Sequence, residues 1–189
     1  MLLLARHGQT DWNAEKRLQG RTEVPLNDAG REQARALAGA LEAERAVSGR
    51  ALVSPLGRAR DTAAILESLL PALSFEVEPR LVELDLGDWE GRLESDLAAD
   101  ARYQAFRSDP LRNPAPGGEG AIDVARRVAP LLDSIAAEDP GAERILLLGH
   151  QFTNAVIQCL ATGRPLDQVR SAFQPPGTIR ALRLPLRRP

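Results

Sequence analysis

The sequence predicts an α/β fold built on an open, mostly parallel sheet. Short apolar runs of the length of buried strands alternate along the 189 residues with longer segments of helical periodicity, which is typical of this fold class. The two histidines of the chain, His7 and His150, each come at the end of one of these apolar runs. Ligands bind beyond the carboxyl ends of parallel strands in such sheets, so we expect the two imidazoles to share one pocket.

The first half of the chain supplies three predicted strands and two predicted helices. Residues 1–5 form the first strand, and after a polar stretch Asn27 is a good N-cap for a helix. The spacing of its apolar residues predicts the buried face of that helix: Ala34, Leu37, Ala38 and Leu41. Residues 51–53 and 75–77 are the second and third strands, the former ending at Ser54-Pro55. The helix between these strands is predicted to bury Ala59, Thr62, Ala63, Leu66, Leu69 and Leu70.

The second half is less regular at its start. Residues 91–106 are compatible with a helix, whereas the proline- and glycine-rich segment 108–120 predicts a loop. The helix that follows contains Pro130, which predicts a kink or a split, and its expected inward residues are Ile122, Ala125, Val128, Ala129, Leu132 and Ile135. Three elements complete the chain, which we expect to be one domain over 1–189: a strand at 145–149, a helix from Phe152 to Leu160, and a strand near 179–184.

Composition excludes several classes of function. The formal net charge of −2 gives no basic field for nucleic acid, so no nucleic-acid partner is expected. The single cysteine, Cys159, predicts a buried structural thiol and a reducing compartment. No signal peptide is apparent and no apolar run approaches the roughly 20 residues of a membrane helix, so we expect a cytoplasmic monomer or homodimer. The arginine-rich tail, Arg183 to Arg188, is expected to be solvated.

The segment Arg6-His7-Gly8 is the first candidate for chemistry. The glycine lets the backbone approach a ligand closely, and the arginine offers a planar fork for phosphate or carboxylate. The histidine can serve as nucleophile, base or metal ligand. Taken alone, the three residues fit a surface turn with an incidental ion pair equally well.

Arg58 is the second candidate, because it lies in the first turn of a predicted helix. A cation there opposes the helix dipole, unless an anion binds between the helix end and the guanidinium. The alternative is that Arg58 or Arg60 simply pairs with Asp61.

His150 and a group of acidic residues leave further alternatives open. His150 is either a pocket residue or a core histidine satisfied by nearby backbone. A zinc site made by the two histidines and a carboxylate is disfavoured, because two arginines lie close by and no supporting ligand motif is present. A proton donor is available among the acids of the 81–91 segment, and spacing alone does not choose between them: Glu83, Asp85, Asp88 and Glu90.

Together these segments resemble the histidine phosphatase superfamily, in its phosphoglycerate mutase-like branch. The similarity implies a three-layer αβα sandwich with a mostly parallel central sheet. It rests on ordered motifs that span nearly the whole chain: Arg6-His7-Gly8-Gln9-Thr10-x-Trp12-Asn13, Leu18-Gln19-Gly20-Arg21 with Pro25-Leu26, Gly30-x-x-Gln33-Ala34, Ser54-Pro55-Leu56-x-Arg58-Ala59-x-x-Thr62-Ala63, Glu83-x-x-x-Gly87-x-Trp89-Glu90-Gly91, Pro116-Gly117-Gly118-Glu119 and Gly149-His150.

The resemblance implies a phosphoenzyme mechanism. His7 would attack phosphorus to form phosphohistidine, and Glu83 would be the general acid. The cationic side chains that would hold the phosphoryl oxygens take the place of a metal, so neither metal nor cofactor is expected. The remaining roles are a phosphoryl clamp of Arg6, Arg58 and His150, a neutral donor at Asn13, and a leaving-group pocket shaped by Gln19, Gly20, Gln151 and residues 91–120.

The resemblance favours a phosphomonoesterase for a small phosphorylated metabolite, similar to small phosphatases such as alpha-ribazole phosphatase. Mutase-type phosphoryl transfer is the first alternative, although the span from Gly91 to Gly118 is short and contains no lysine. A phospho-ligand binding module without turnover is the second. Four positions depart from the common family pattern: Glu23, Asn27, Gly120 and Gln151.

Overall fold

A five-stranded sheet forms the centre of the protein, whose computed structural model describes residues 1–43, 49–138 and 144–182. The strands lie in the order β3-β2-β4-β1-β5. Only β5 runs antiparallel to its neighbour, and it occupies an edge of the sheet. The strand bounds are β1 Leu2–Arg6, β2 Gly49–Val53, β3 Leu73–Val77, β4 Ile145–Gly149 and β5 Ile179–Leu182.

Helices cover both faces of this sheet. Successive residues of β1 point to opposite faces, with Leu3 and Ala5 in one hydrophobic cluster and Leu2 and Leu4 in the other. Helices α2 and α3 supply the first cluster, and α5 and α6 the second. The predicted three-layer αβα sandwich is therefore confirmed. The helix bounds are α1 Asp11–Ala14, α2 Asp28–Ala43, α3 Gly57–Leu69, α4 Ala101–Ser108, α5 Ala121–Glu138 and α6 Gln151–Thr162, with 3-10 turns at Pro79–Leu81, Gly87–Trp89 and Leu166–Ala172.

The prediction of a helix over residues 91–106 is wrong for residues 91–100. Residues 91–100 form turns, one bridge joins Arg17 to Leu93, and α4 begins only at Ala101. The carboxylate of Asp100 accepts the N–H groups of Arg102 and Tyr103, so this N-cap fixes the start of the helix.

Two predictions of buried helix faces are also wrong in detail. Ile122 is 39% exposed, because the buried stripe of α5 runs through Ala121, Val124 and Val128 instead. Leu69 is 48% exposed and lies in the last turn of α3. Helix α5 continues through Pro130 without splitting. This proline is exposed, so the carbonyl that loses its helical partner lies on the solvent side.

The N-cap of α2 is confirmed, since the Asn27 side chain accepts the N–H of Gly30 at 2.8 Å. Cys159 is buried as predicted, and burial raises the pKa of its thiol. The tail from Arg183 to Arg188 and the end of the last predicted strand, 183–184, lie outside the described residues. Within the described ranges, no helix is long and apolar enough to cross a bilayer.

The sheet order decides where the site forms. Strands β1 and β4 are neighbours with Arg6 opposite Gly149, and β2 pairs with β4 so that Val53 is opposite Leu148. The residues that follow these strands are His7, His150 and Ser54, and all three lie at the same edge of the sheet. The topology thus brings together segments that are far apart in sequence.

Candidate active site

The two histidine rings are in contact, as their positions after β1 and β4 predict. Their centroids are 5.0 Å apart and the ring planes are inclined by 59°. The backbone N–H of His7 donates to the carbonyl of Gly149 at 3.1 Å, which extends the β1–β4 pairing up to the site. Both side chains are buried, His7 to 2% exposure and His150 to 0%.

The surroundings of His7 define its tautomer. Its Nδ1 lies 2.6 Å from the carbonyl oxygen of Gly8, which can only accept, so Nδ1 carries the proton and Nε2 keeps a lone pair. Burial, together with the charges of Arg58 and Arg6, lowers the pKa of His7 well below its ordinary value. The ring is therefore neutral near pH 7, with Nε2 available as a nucleophile.

Arg58 is fixed on this nitrogen. Its Nε donates to Nε2 of His7 at 3.2 Å, and its two terminal nitrogens donate to the carbonyls of Thr22 at 3.1 Å and Gly20 at 2.7 Å. No ion pair with Asp61 is found for Arg58 or Arg60 in the part of the chain that the structure describes, so the simple pairing alternative is wrong. Burial lowers the pKa of Arg58.

Arg6 is the second buried guanidinium. Its Nη1 donates to the carbonyl of Gln174 at 2.7 Å, whereas its buried Nε has no hydrogen-bond partner among the described residues. Burial lowers the pKa of Arg6 to about 10, and the charge of Glu83 partly counteracts this shift. At neutral pH the site therefore holds two buried positive charges and an unused N–H donor.

His150 is held by Ser54. The two side chains are 2.6 Å apart at His150 Nε2 and Ser54 Oγ, and this oxygen already accepts the N–H of Leu56. The buried Nδ1 of His150 has no partner within the described ranges. Burial and then the charge of Arg58 lower the pKa of His150 well below its ordinary value.

The carboxylate of Glu83 is anchored at the start of α6. It is 9% exposed and accepts the backbone N–H groups of Leu84, Phe152 and Thr153, as well as the hydroxyl of Thr153. It thereby satisfies helix N–H groups that His150, at the N-cap position, leaves without a side-chain acceptor. Three of these bonds go to Oε1 and one to Oε2, so Oε2 is the oxygen with room for a proton.

Two ion-paired arginines hold the backbone of Glu83. Arg21 and Arg127 both donate to its backbone carbonyl, at 3.3 Å and 3.2 Å, and both pair with Glu119. Asp85 joins this network through Arg21 at 3.5 Å. These partners hold the backbone of Glu83, so the acid has little freedom to move.

The predicted substrate-binding residues of the 13–20 segment form one hydrogen-bonded unit. Asn13 Nδ2 and the hydroxyl of Thr10 both donate to Oε1 of Gln19, whose buried Nε2 has no partner in the described structure. Gly20 has a φ of +53°, and an added Cβ would lie 2.0 Å from a carboxylate oxygen of Glu90. That carboxylate binds the N–H groups of Arg21, Thr22 and Leu86, so Glu90 shapes the loop that carries the acceptors of Arg58.

A cavity of about 310 Å³ opens onto these groups. His150 does not line it, because it is fully buried in the wall. Gly8 departs from its prediction as well: an added Cβ would lie 2.2 Å from the carbonyl oxygen of Gly30, so its close approach is to α2 rather than to a ligand. The other predicted site residues all line the cavity: Arg6, His7, Asn13, Gln19, Gly20, Arg58, Glu83 and Gln151.

Sequence analysis missed several residues around the site. Ser54 was detectable, because it is a polar residue at the end of a strand that precedes a helix, like both histidines. Arg170 and Phe173 line the cavity from a segment outside every predicted motif, and nothing in their local sequence indicates this. Tyr103 and Phe106 also line it, and they fall within the span 91–120 that was predicted to shape the leaving-group pocket. Among the described residues, no group of three or more metal-ligating side chains could hold a metal ion.

The profile of the histidine phosphatase superfamily (branch 1) matches residues 2–188. The chain belongs to this superfamily. It is 36% identical over 174 residues to glucosyl-3-phosphoglycerate phosphatase of Mycolicibacterium vanbaalenii, covering 88% of this chain and 76% of the relative. It is 36% identical over 152 residues to phosphoglycerate mutase-like protein 4 of Arabidopsis thaliana, covering 79% and 65%.

A solved structure agrees with these relatives. The alpha-ribazole phosphatase of Shigella flexneri superposes with a TM-score of 0.80 at 29% identity, covering 94% of this chain and 87% of that one. The predicted resemblance to this superfamily is confirmed. The similarities support a phosphatase related to enzymes named for small phosphorylated metabolites.

Proposed function

We propose that the protein is a phosphomonoesterase that forms a phosphohistidine at Nε2 of His7. The observation that carries this proposal is the neutral His7 ring, with its proton on Nδ1 and the lone pair of Nε2 at a cavity flanked by Arg6 and Arg58. In phosphoryl transfer, positioning and electrostatic stabilisation supply most of the acceleration. Here the fixed His7 ring supplies the positioning, and Arg6 and Arg58 supply the electrostatic stabilisation.

The phosphoryl oxygens are proposed to accept hydrogen bonds from donors that have no partner in the described structure. Arg6 Nε and Gln19 Nε2 are buried, unpaired among the described residues and carried by side chains that line the cavity, with Asn13 beside Gln19. His150 Nδ1 is also buried and unpaired, but it lies in the wall, on the ring that contacts His7. A buried polar group without a partner costs free energy, so an anion that accepts from these groups is bound strongly. As phosphorus approaches His7, the Arg58 Nε–H bond passes from Nε2 to a phosphoryl oxygen.

Glu83 donates a proton in the first chemical step and accepts one in the second. In the first step the N–P bond to His7 forms and the P–O bond of the ester breaks, and Glu83 gives its proton to the leaving oxygen. In the second step water attacks phosphorus, gives a proton to Glu83, and the P–N bond breaks to release phosphate. Removal of such an acid–base group costs about 10²–10⁴ in rate.

Hydrolysis is favoured over mutase-type transfer because the connection between Gly91 and Gly118 is short and so supplies no insertion that would close over the cavity and exclude water. The substrate is a small phosphorylated metabolite, the class to which the names of the relatives point. The enzyme is proposed to act in the cytoplasm as a monomer or homodimer, without metal or cofactor and without nucleic-acid or membrane partners.

Hydrolysis of p-nitrophenyl phosphate in the presence of EDTA tests this proposal. We expect turnover that survives the chelator, disappears in His7→Ala, and persists in the control Arg126→Gln, an exposed position on α5. Phosphate binding without any turnover in the unmutated protein would instead support a binding module. With 3-phosphoglycerate and a trace of 2,3-bisphosphoglycerate, isomer formation faster than phosphate release would support a mutase.

A further inference from the structure

The lining of the cavity carries positive charge beyond the residues assigned to the active site. Four further charged side chains line it: Lys16, Arg17, Glu94 and Arg170. Arg17 is paired with Glu15 at 3.1 Å, and Glu94 with Arg107 at 3.5 Å, so these two are neutralised by their neighbours. Lys16 and Arg170 have no ion pair among the residues that the structure describes.

Arg170 is the more confined of the two. It lies in the 3-10 turn Leu166–Ala172, half-buried, with its guanidinium 5.1 Å from the centre of the Phe173 ring. Its guanidinium makes no hydrogen bond within the described ranges, although it can donate five. Burial and the nearby charge of Arg107 lower the pKa of Arg170, and Tyr103 and Glu94 counteract only part of this shift, so an anion bound at the guanidinium would stabilise its cationic form.

Lys16 is the only lysine of the chain and is presented at the rim by a constrained turn. Its φ of +58° makes it the one non-glycine residue with positive φ in the described structure. Side chains other than glycine rarely adopt this conformation, and it persists where surrounding contacts enforce it. Here the N–H of Lys16 donates to Asn13 and its carbonyl accepts from Glu94.

Aromatic rings connect Arg170 to the proposed acid. Its guanidinium lies over Phe173, whose ring centroid is 6.0 Å from that of Phe152, and the N–H of Phe152 donates to Glu83. The cavity lining also includes the apolar side chains of Leu18, Leu86, Tyr103 and Phe106. A leaving group that extends from Glu83 along this lining can reach Arg170, and an uncharged end would give the guanidinium no hydrogen-bond acceptor. A carboxylate or a second phosphate would accept its paired N–H donors.

We propose that Arg170 is a specificity-determining residue that binds a second anionic group on the leaving-group side of the substrate, with Lys16 adding charge at the rim. This inference rests on the proposed phosphomonoesterase function and defines its substrate class. The preferred esters are those of molecules that carry a carboxylate or a further phosphate beyond the ester that is cleaved.

Matched pairs of esters that differ only in the charge at the far end test this proposal. 3-Phosphoglycerate against glycerol 3-phosphate, and 6-phosphogluconate against glucitol 6-phosphate, compare carboxylate with hydroxymethyl at two lengths. Fructose 1,6-bisphosphate against fructose 6-phosphate supplies the phosphate arm. We expect the charged member of at least one pair to have the higher kcat/KM by about 10- to 100-fold, the effect of one charge-assisted hydrogen-bond pair.

Variants of Arg170 distinguish a role in substrate binding from a purely structural role. Arg170→Gln should abolish that preference by raising KM for the charged ester far more than for its neutral partner, and Arg170→Lys should restore part of it. Arg126→Gln is the matched arginine control. A purely structural role would lower both members equally, and that result, or equal kcat/KM values in every pair of the unmutated enzyme, would overturn the proposal.

Equilibrium binding keeps this test independent of turnover. In the His7→Ala background, calorimetry should show tighter binding of the same charged ester, and Arg170→Gln should remove the difference. If the unmutated protein hydrolyses no ester at all, the proposed function fails while this titration still decides the role of Arg170. Equal affinity for charged and neutral partners would contradict it.

Discussion

The Nε of Arg58 donates to Nε2 of His7 across 3.2 Å. A guanidinium has no acceptor, so this contact requires a lone pair on the imidazole nitrogen. The carbonyl groups of Gly20 and Thr22 hold the other two nitrogens of the guanidinium. The structure thus holds a cation against the nitrogen atom that forms the bond to phosphorus in the proposed reaction.

Arg58→Lys is expected to lower kcat by about 10²–10³, the usual cost of losing a positioned donor in a transition state. Lysine keeps the charge, but an ammonium group cannot bridge His7, Gly20 and Thr22 as the planar fork does. Steady-state kinetics with p-nitrophenyl phosphate measures this change. Arg60→Lys, an exposed position on the same helix, is the control. A kcat within about twofold of the unmutated value in Arg58→Lys would contradict the assigned role.

Stability is expected to fall as the pH falls below about 6.5, the ordinary histidine pKa. The pKa values of His7 and His150 are lowered in the folded state, so the unfolded chain takes up protons first and is stabilised by them. The contribution of the neutral rings is complete above this pH and is lost on the acid side.

Urea unfolding at about pH 7.5 and pH 5.5 checks this, and two such histidines predict a loss of about 2–3 kcal/mol between these values. His150→Asn should reduce the loss by about half. A free energy of unfolding that does not change over this interval would show that the rings titrate normally.

Ser54→Ala is expected to lower kcat/KM by about tenfold, the equivalent of one hydrogen bond. The Ser54 oxygen already accepts the N–H of Leu56, so we expect its own hydrogen to be donated to Nε2 of His150, leaving the proton of the ring on Nδ1. Nitrogen-15 spectra of histidine-labelled protein report this tautomer directly, because the chain has only two histidines. A His150 signal protonated at Nε2 in the unmutated protein would refute this assignment.

Glu83→Gln is expected to affect substrates according to their leaving groups. Alkyl phosphates need a proton on the departing oxygen and should lose about 10²–10⁴ in kcat/KM, whereas p-nitrophenyl phosphate, with its acidic phenol, should lose much less. The amide also places N–H groups against the N–H donors of Phe152 or Thr153, so the melting temperature should fall. Equal losses for both kinds of ester would argue against proton donation by Glu83.

The sequence predicted the part of the site that depends on strand ends. His7 and His150 follow buried strands, and Arg58 opens a helix that follows a third, so a parallel sheet is enough to bring them to one edge. The choice of Glu83 among four acids required the family resemblance. The structure gives a physical account of that choice, since the carboxylate of Glu83 lies at the start of α6.

The leaving-group side was predicted only as a span, residues 91–120, and not residue by residue. Arg170 reaches the cavity from a 3-10 turn whose local sequence is ordinary, and Tyr103, inside the predicted span, reaches it from α4. These positions depend on how irregular segments pack against one another. Neither periodicity nor strand order determines that packing.

Rapid-quench labelling with a phosphorus-32 ester, followed by peptide mapping, tests the central claim most directly. The account predicts an acid-labile, base-stable label on Nε2 of His7 that forms before phosphate is released, is present in Glu83→Gln and is missing in His7→Ala. Phosphate release at the normal rate without any label, or a label that maps to another residue, would contradict it.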